Sequence, residues 1–268
     1  FLESDELKEE WGFDSNEIYD LSIIEDMPNL VSLQISGIKL KDYCILKSNN
    51  SLGSLSISYI DDEKANVLIG LTNLKGLKIK DSTITSIDFV SNMKKLRYLD
   101  LDNVQGIKSY AVLQSMSSLE YLEISNMFDN DDLKSLPSME NLTELRLANN
   151  AGLTNISVLP YAPNLSALFL DGSGVKEISL PIDKVPDLGM LSVADTPIDS
   201  VAKIKGLDNI YSINMVGSKI KDVSPIKAMK KKGLLKRIQV IYIDNDFERN
   251  RDILKGTGIE IGNIYLGQ

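Results

Sequence analysis

The chain has 268 residues, of which 43% are hydrophobic and 6% aromatic, with a formal net charge of −9 at pH 7. A core built from it must be aliphatic, and an acidic surface argues against nucleic acid or an anionic membrane as partner, since both need cations to displace their counterions. With no histidine and a single cysteine, Cys44, the commonest general base and metal ligand is absent and an intramolecular disulfide is excluded. No run of eighteen apolar residues occurs, so no membrane-spanning helix is expected.

The chain opens in mid-pattern with Phe1-Leu2-Glu3-Ser4 and reads as a fragment or a processed product. Glu3–Glu10 reads as a short polar helix, and Trp11, Phe13 and Asn16 then fill positions four, six and nine of a degenerate rung. Residues 1–16 are therefore expected to form an N-terminal cap and that first rung. From Leu30 onward the pattern L-x-x-L-x-L takes over, starting at Leu30, Leu52, Leu74, Leu96, Leu119, Leu142, Leu165, Leu188, Ile210 and Ile238. The gaps are 22 or 23 residues until the last, which is 28. Every first, fourth and sixth position is aliphatic or Met.

After each strand motif a spacing of three appears. It runs Ile18, Leu21, Ile24, Met27 at the start, Ile84, Ile87, Val90, Met93 further on, then Ile107, Tyr110, Leu113, Met116, and late in the chain Ile198, Val201, Ile204, Leu207. That period suits extended or 3₁₀ turns rather than an α-helix. Each rung is thus a short strand, a turn and a loose return, and no rung can bury its apolar edge alone. The stretched repeat holds Lys227–Arg237, which reads as a true helical turn. Gly258–Leu266 alternates like an edge strand.

The pattern L-x-x-L-x-L-x-x-N-x-I-x-x-I-x-x-L-x-x-L, over roughly residues 8–258, resembles the short 22-residue class of leucine-rich repeats found in bacterial internalins and related Gram-positive surface proteins. The resemblance implies an α/β solenoid, a right-handed leucine-rich-repeat horseshoe with a parallel concave β-sheet and a 3₁₀/loop convex side. About ten further rungs would occupy 17–258, with 259–268 as a C-terminal edge strand or cap. It also implies a binding role and an extracellular or cell-surface, bacterial location, in keeping with 5 Arg against 24 Lys. The chain departs from the pattern at position nine, which is Asn only at Asn16 and Asn150 and is apolar at Ile38, Ile60, Val104 and Met127. Those rungs need another way to satisfy their turn amides, with Asn103 and Asn126, one residue earlier, as candidates.

Positions three, five and seven of each strand should project from the sheet, because side chains alternate on a strand. The early rungs are Ser-rich there, while the middle ones carry Tyr98, Asp100, Asp102, Tyr121, Glu123, Glu144, Arg146, Phe169 and Met190. Tyr98 and Tyr121 should stand side by side, and Glu123 and Arg146 are candidates to pair. Aromatic, Met and Arg side chains beside mixed charge compose the centre of a protein interface, so these nine form the expected ligand-binding surface. The expected ligand is a host or bacterial surface protein. A glycan stacked on the same aromatics, or a structural spacer without a ligand, are the alternatives.

Other features carry less. The carboxylates Asp100 and Glu123 invite glycosidase chemistry, but an open sheet face offers no enclosure, so no catalytic residue is expected. Asp129-Asn130-Asp131-Asp132 lacks the glycine and the distal bidentate Glu of a calcium loop and reads as a solvated turn, leaving no metal or cofactor site. Lys230–Lys232 reads as a solvated basic turn, and Cys44 as a buried, inert thiol.

Overall fold

The computed structural model describes residues 17–127, 136–156, 159–244 and 246–262. The expected cap 1–16, the acidic turn Asp129–Asp132 and the end of the expected C-terminal cap, 263–268, lie outside the described residues. The chain forms two compact units, the first holding residues 17–127 and 136–139 and the second the described residues from 140 onward.

In the first unit the strands are β1 (Ile18–Tyr19), β2 (Ser32–Ile35), β3 (Lys39–Leu40), β4 (Ser54–Ser58), β5 (Gly76–Thr83), β6 (Tyr98–Gln105) and β7 (Tyr121–Ser125). The main sheet runs β2-β4-β5-β6-β7, all parallel, and β1 pairs with β3 separately. Its register sets like positions opposite one another: Leu33 faces Leu55, Leu55 faces Leu77, Leu77 faces Leu99 and Leu99 faces Leu122. Equal repeat length makes that register the one in which every apolar side chain stacks on its counterpart. The returns are 3₁₀ turns at Ser22–Asp26, Tyr43–Ser48, Asn66–Gly70, Asp88–Asn92 and Ala111–Ser115. Ile84, Ile87, Val90 and Met93 are fully buried. The first set behaves differently, with Ile24 buried but Ile18 67% and Met27 43% exposed. Among the described residues this rung has a neighbour on one side only, so one apolar edge stays uncovered.

The second unit contains β8 (Glu144–Arg146), β9 (Ala167–Phe169), β10 (Ile178–Ser179), β11 (Met190–Ser192), β12 (Ile204–Lys205), β13 (Ser212–Asn214), β14 (Val240–Tyr242) and β15 (Glu260–Gly262). Its sheet runs β8-β9-β11-β13-β14-β15, again parallel, with β10 and β12 paired on the return side. Leu145, Leu168, Leu191, Ile213 and Ile241 form one buried column. The stretched repeat forms the α-helix Ser224–Lys231, with Pro225 in its first turn, where the lost N–H is harmless. A second α-helix spans Phe247–Leu254, and its buried Asn250 accepts from the Val223 amide and donates to the Lys221 carbonyl. Both units are therefore leucine-rich-repeat solenoids.

Position eight, rather than nine, carries the turn. Gly37, Tyr59, Asp81, Asn103 and Asn126 in the first unit, and Asn149, Gly172, Asp195 and Gly217 in the second, all have φ between 47° and 87°. Left-handed backbone is open to Gly and tolerated by Asn and Asp, which explains the composition; Tyr59 is the one bulky exception in this column. From Ile38 to Ser218 position nine is buried, and only at Asp246, in the last rung, is it exposed among the described residues, so apolar residues serve there as readily as Asn. The turn amides are met in several ways. The Gly37 amide donates to Ser58 Oγ at 3.0 Å and the Ile60 amide to Ser82 Oγ at 3.1 Å. At Val104 the ladder itself continues, with Ser82 opposite Val104 and Thr83 opposite Gln105. Asn103 and Asn126 do bridge rungs, but through side chains: Asn103 Nδ2 donates to Asp81 Oδ1 at 2.7 Å and Asn126 Nδ2 to Asp102 Oδ1 at 2.6 Å.

Cys44 is exposed, against expectation. In its 3₁₀ turn the inward positions belong to Tyr43, Ile45 and Leu46, all buried, and Asp42 caps the turn by accepting from the Cys44 amide at 2.7 Å.

Candidate functional site

In the first unit, β6 and β7 present Tyr98 and Tyr121 directly opposite one another. Their rings stack with centroids 4.2 Å apart and planes 15° from parallel, as the side-by-side expectation required. Each hydroxyl is tethered two residues along its own strand, where the next outward side chain sits. Tyr98 donates to Asp100 Oδ2 at 3.3 Å, and Tyr121 donates to Glu123. Tyr98 keeps 37% of its surface exposed, so the stack is open to solvent.

Asp100 does not project as expected; it is only 1% exposed. Tyr98 and Lys78 cover it, with Lys78 Nζ 3.0 Å from Oδ2, while Oδ1 has no hydrogen-bond partner among the described residues. Burial, reinforced by the neighbouring Glu123 charge and opposed by Lys78, pushes the Asp100 carboxyl up to about 6. Burial and the Asp100 charge push the Tyr98 phenol up to about 12, which keeps it a neutral donor at physiological pH. Asp102 is half-buried, with Lys80 Nζ 3.6 Å away. The in-register pairs Lys78–Asp100 and Lys80–Asp102 thus neutralise one another across β5 and β6.

The second unit brings together Glu144, Arg146 and Phe169. Arg146 Nε donates to Glu144 Oε1 at 2.6 Å, and its guanidinium carbon lies 3.9 Å from the centre of the Phe169 ring. A guanidinium held close over an aromatic ring and anchored by a carboxylate is a partly desolvated cation. Met190 stands apart from this trio, half-buried and opposite the small Ala167.

No family model matches the sequence, nor does any curated protein. Among solved structures, an internalin C2 from Listeria monocytogenes is similar at 19% identity, with 84% of this chain and 92% of that chain covered and a TM-score of 0.47. An internalin (inlF) from the same organism is similar at 17% identity over 90% of this chain and 84% of that one, TM-score 0.46. A TLR13–ssRNA13 complex shows 17% identity over 85% of this chain and 31% of that chain, TM-score 0.49.

One further feature of the first unit lies on the rungs that read as bland. Gln34, Ser36, Ser54, Ser56, Gly76, Lys78 and Tyr98 line much of a depression of about 600 Å³ on the outward face. The signal was the absence of side chains: Ser and Gly in columns three to seven leave a hollow that Tyr98 walls on one side. Its floor is internally satisfied, since the Ser36 and Ser56 hydroxyls bond to each other and Lys78 is held by Asp100. Among the described residues, no group of three acidic or thiol side chains converges to hold a metal ion. Asp100, Asp102 and Glu123 are engaged instead by Lys78, by Lys80 with Asn126, and by Tyr121. Such a surface offers aromatic faces and pre-paired charges, which suits recognition.

Proposed function

We propose that the chain is a non-catalytic protein-binding module of a bacterial cell surface whose ligand docks on the outward face of the sheet. The observation that carries this reading is the Tyr98–Tyr121 stack, exposed at one edge and held in a single geometry by the Asp100 and Glu123 tethers. Tyrosines fixed in place offer large contact area at little entropic cost, which is why they dominate binding hot spots. The Arg146–Phe169 pair gives the second unit an anchor of the same kind. The depression of about 600 Å³ beside Tyr98 has room for several side chains of the ligand.

The test screens the chain against an array of host and bacterial surface proteins and, in parallel, a glycan array. Hits are then measured by surface plasmon resonance with Tyr98→Ala/Tyr121→Ala and with Phe169→Ala. Protein hits weakened at least tenfold by the double substitution, with an unchanged melting curve, support the reading. Protein hits indifferent to all three substitutions overturn the site, and glycan hits alone overturn the ligand class.

A further inference from the structure

The net charge of −9 hides a strong asymmetry: residues 219–255 contain eleven lysines and arginines against five acids. The centre of this region is the helix Ser224–Lys231 and the turn that follows it. The Gly233 amide donates to the Lys230 carbonyl and the Leu234 amide to the Met229 carbonyl, both at 3.0 Å, with Gly233 at φ 73°. That is the Schellman ending of a helix, in which the residue after the glycine ordinarily folds its apolar side chain back onto the last turn. Leu234 does so only partly and remains 49% exposed. A side chain built at Gly233 would meet no atom within 4 Å, so Gly233 faces open space.

Around Leu234 lie Lys231, Lys232, Lys236 and Arg237, all exposed and, among the described residues, without an ion pair. Lys230 reaches back to the Ile238 carbonyl at 3.3 Å, and Glu248, the acid at the start of the neighbouring helix, is engaged by Arg251. On the outward face of the first unit, Lys78 and Lys80 stand opposite carboxylates. Here the protein leaves the cations unneutralised around a protruding leucine.

We propose that this basic turn docks the chain peripherally on an anionic lipid surface, with the lysines against headgroup phosphates and Leu234 entering the interfacial layer. A cluster of cations with an exposed apolar side chain at its centre matches what such a surface recognises. Residues 224–237 contain no aromatic side chain on which a base could stack, so a single-stranded nucleic acid fits less well. A soluble sulfated polymer would leave Leu234 without a role. The acidity of the remainder does not oppose docking, because at physiological salt its field is screened within about 8 Å.

The test is co-sedimentation of the whole chain with vesicles of phosphatidylglycerol and phosphatidylcholine in equal parts, against phosphatidylcholine alone and against soluble heparin. Selective partitioning to the anionic vesicles is expected. Each lysine near such a surface changes partitioning about fivefold, so Lys231→Gln/Lys232→Gln/Lys236→Gln should lower it on the order of a hundredfold. Leu234→Ser, which leaves the charge unchanged, should lower it about fivefold. Melting curves confirm that these exposed substitutions leave the fold intact. No partitioning, partitioning insensitive to the triple substitution, or heparin binding as tight as vesicle binding with no effect of Leu234→Ser would each overturn the proposal.

Discussion

The two units are built on the same repeating core pattern and differ in how they finish their rungs. In the first, β5 and β6 each run eight residues, past the turn and into the return, and the outward columns pair Lys78 with Asp100 and Lys80 with Asp102. In the second, every strand of the main sheet is three residues long, and the turns carry Gly172 and Gly217 alongside Asn149 and Asp195. The lesson is that the buried columns set the rung, while the strand ends and outward columns are free to diverge. The first unit uses that freedom for a cross-strand charge ladder, and the second for a cation stacked on Phe169.

The largest effect should be the same in both. Leu99 and Leu191 occupy position four at 0% exposure. Truncation to Ala at either site should cost about 3 kcal/mol, read from urea unfolding curves. Equal losses support a common core, whereas a difference above about 1 kcal/mol would show that strand length matters to packing.

The next effect belongs to the first unit alone. Asp100 is nearly inaccessible and its carboxyl is raised from 3.8 to about 6, so the folded state holds a proton that the unfolded state releases. Its contribution is then favourable below about pH 4 and is lost as pH rises through 6, the reverse of an ordinary salt-bridged carboxylate. Asp100→Asn should therefore stabilise the protein relative to wild type at pH 7.5 by about 2 kcal/mol more than at pH 4. Thermal melts at the two pH values check this; a constant difference would mean that Lys78 fully compensates the buried charge.

At the turns the comparison sharpens to about 1 kcal/mol. Tyr59 holds φ 58° where its equivalents are Gly, Asn or Asp. Tyr59→Asn should stabilise by about 0.5 kcal/mol, the relief of left-handed strain less the contact of its ring with Lys39, 5.3 Å away. In the second unit the exposed Asn149 already suits its φ of 56°, and Asn149→Ala should cost about 1 kcal/mol. Equal signs for the two changes would show that position eight is not where the turns are decided.

Much of this was legible in the chain because packing residues repeat and packing is periodic. The register Leu77 opposite Leu99 follows from counting, and so does Tyr98 beside Tyr121. What counting could not reach was decided by side chains folding over one another. Position five faces away from the core and so reads as solvent-exposed, yet at Asp100 the side chains of Tyr98 and Lys78 close over it. Cys44 reads as buried because a free cysteine is usually a small buried hydrophobe, yet Tyr43, Ile45 and Leu46 take the inward positions. The basic turn at Lys230–Lys232 is legible in the sequence, but the exposure of Leu234 beside it is not.

The smallest stability effect tests the face most directly. Gly76 sits in the middle of a strand column where glycine forfeits β-propensity and backbone entropy. Nothing in the fold demands it: its φ is not positive, and an added Cβ would lie 3.6 Å from Ser54 Oγ and 4.0 Å from Tyr98 Cβ, ordinary contact distances. What a side chain would do is occupy the depression of about 600 Å³ that Gly76 helps to line. Gly76→Thr should thus raise stability by roughly 0.5 kcal/mol while weakening any ligand seated against Tyr98 by tenfold or more. Melting temperature and surface plasmon resonance separate the two effects. A more stable variant that binds its ligand as well as wild type would confine the ligand to the Tyr98–Tyr121 edge and leave the Ser-rich rungs as scaffold.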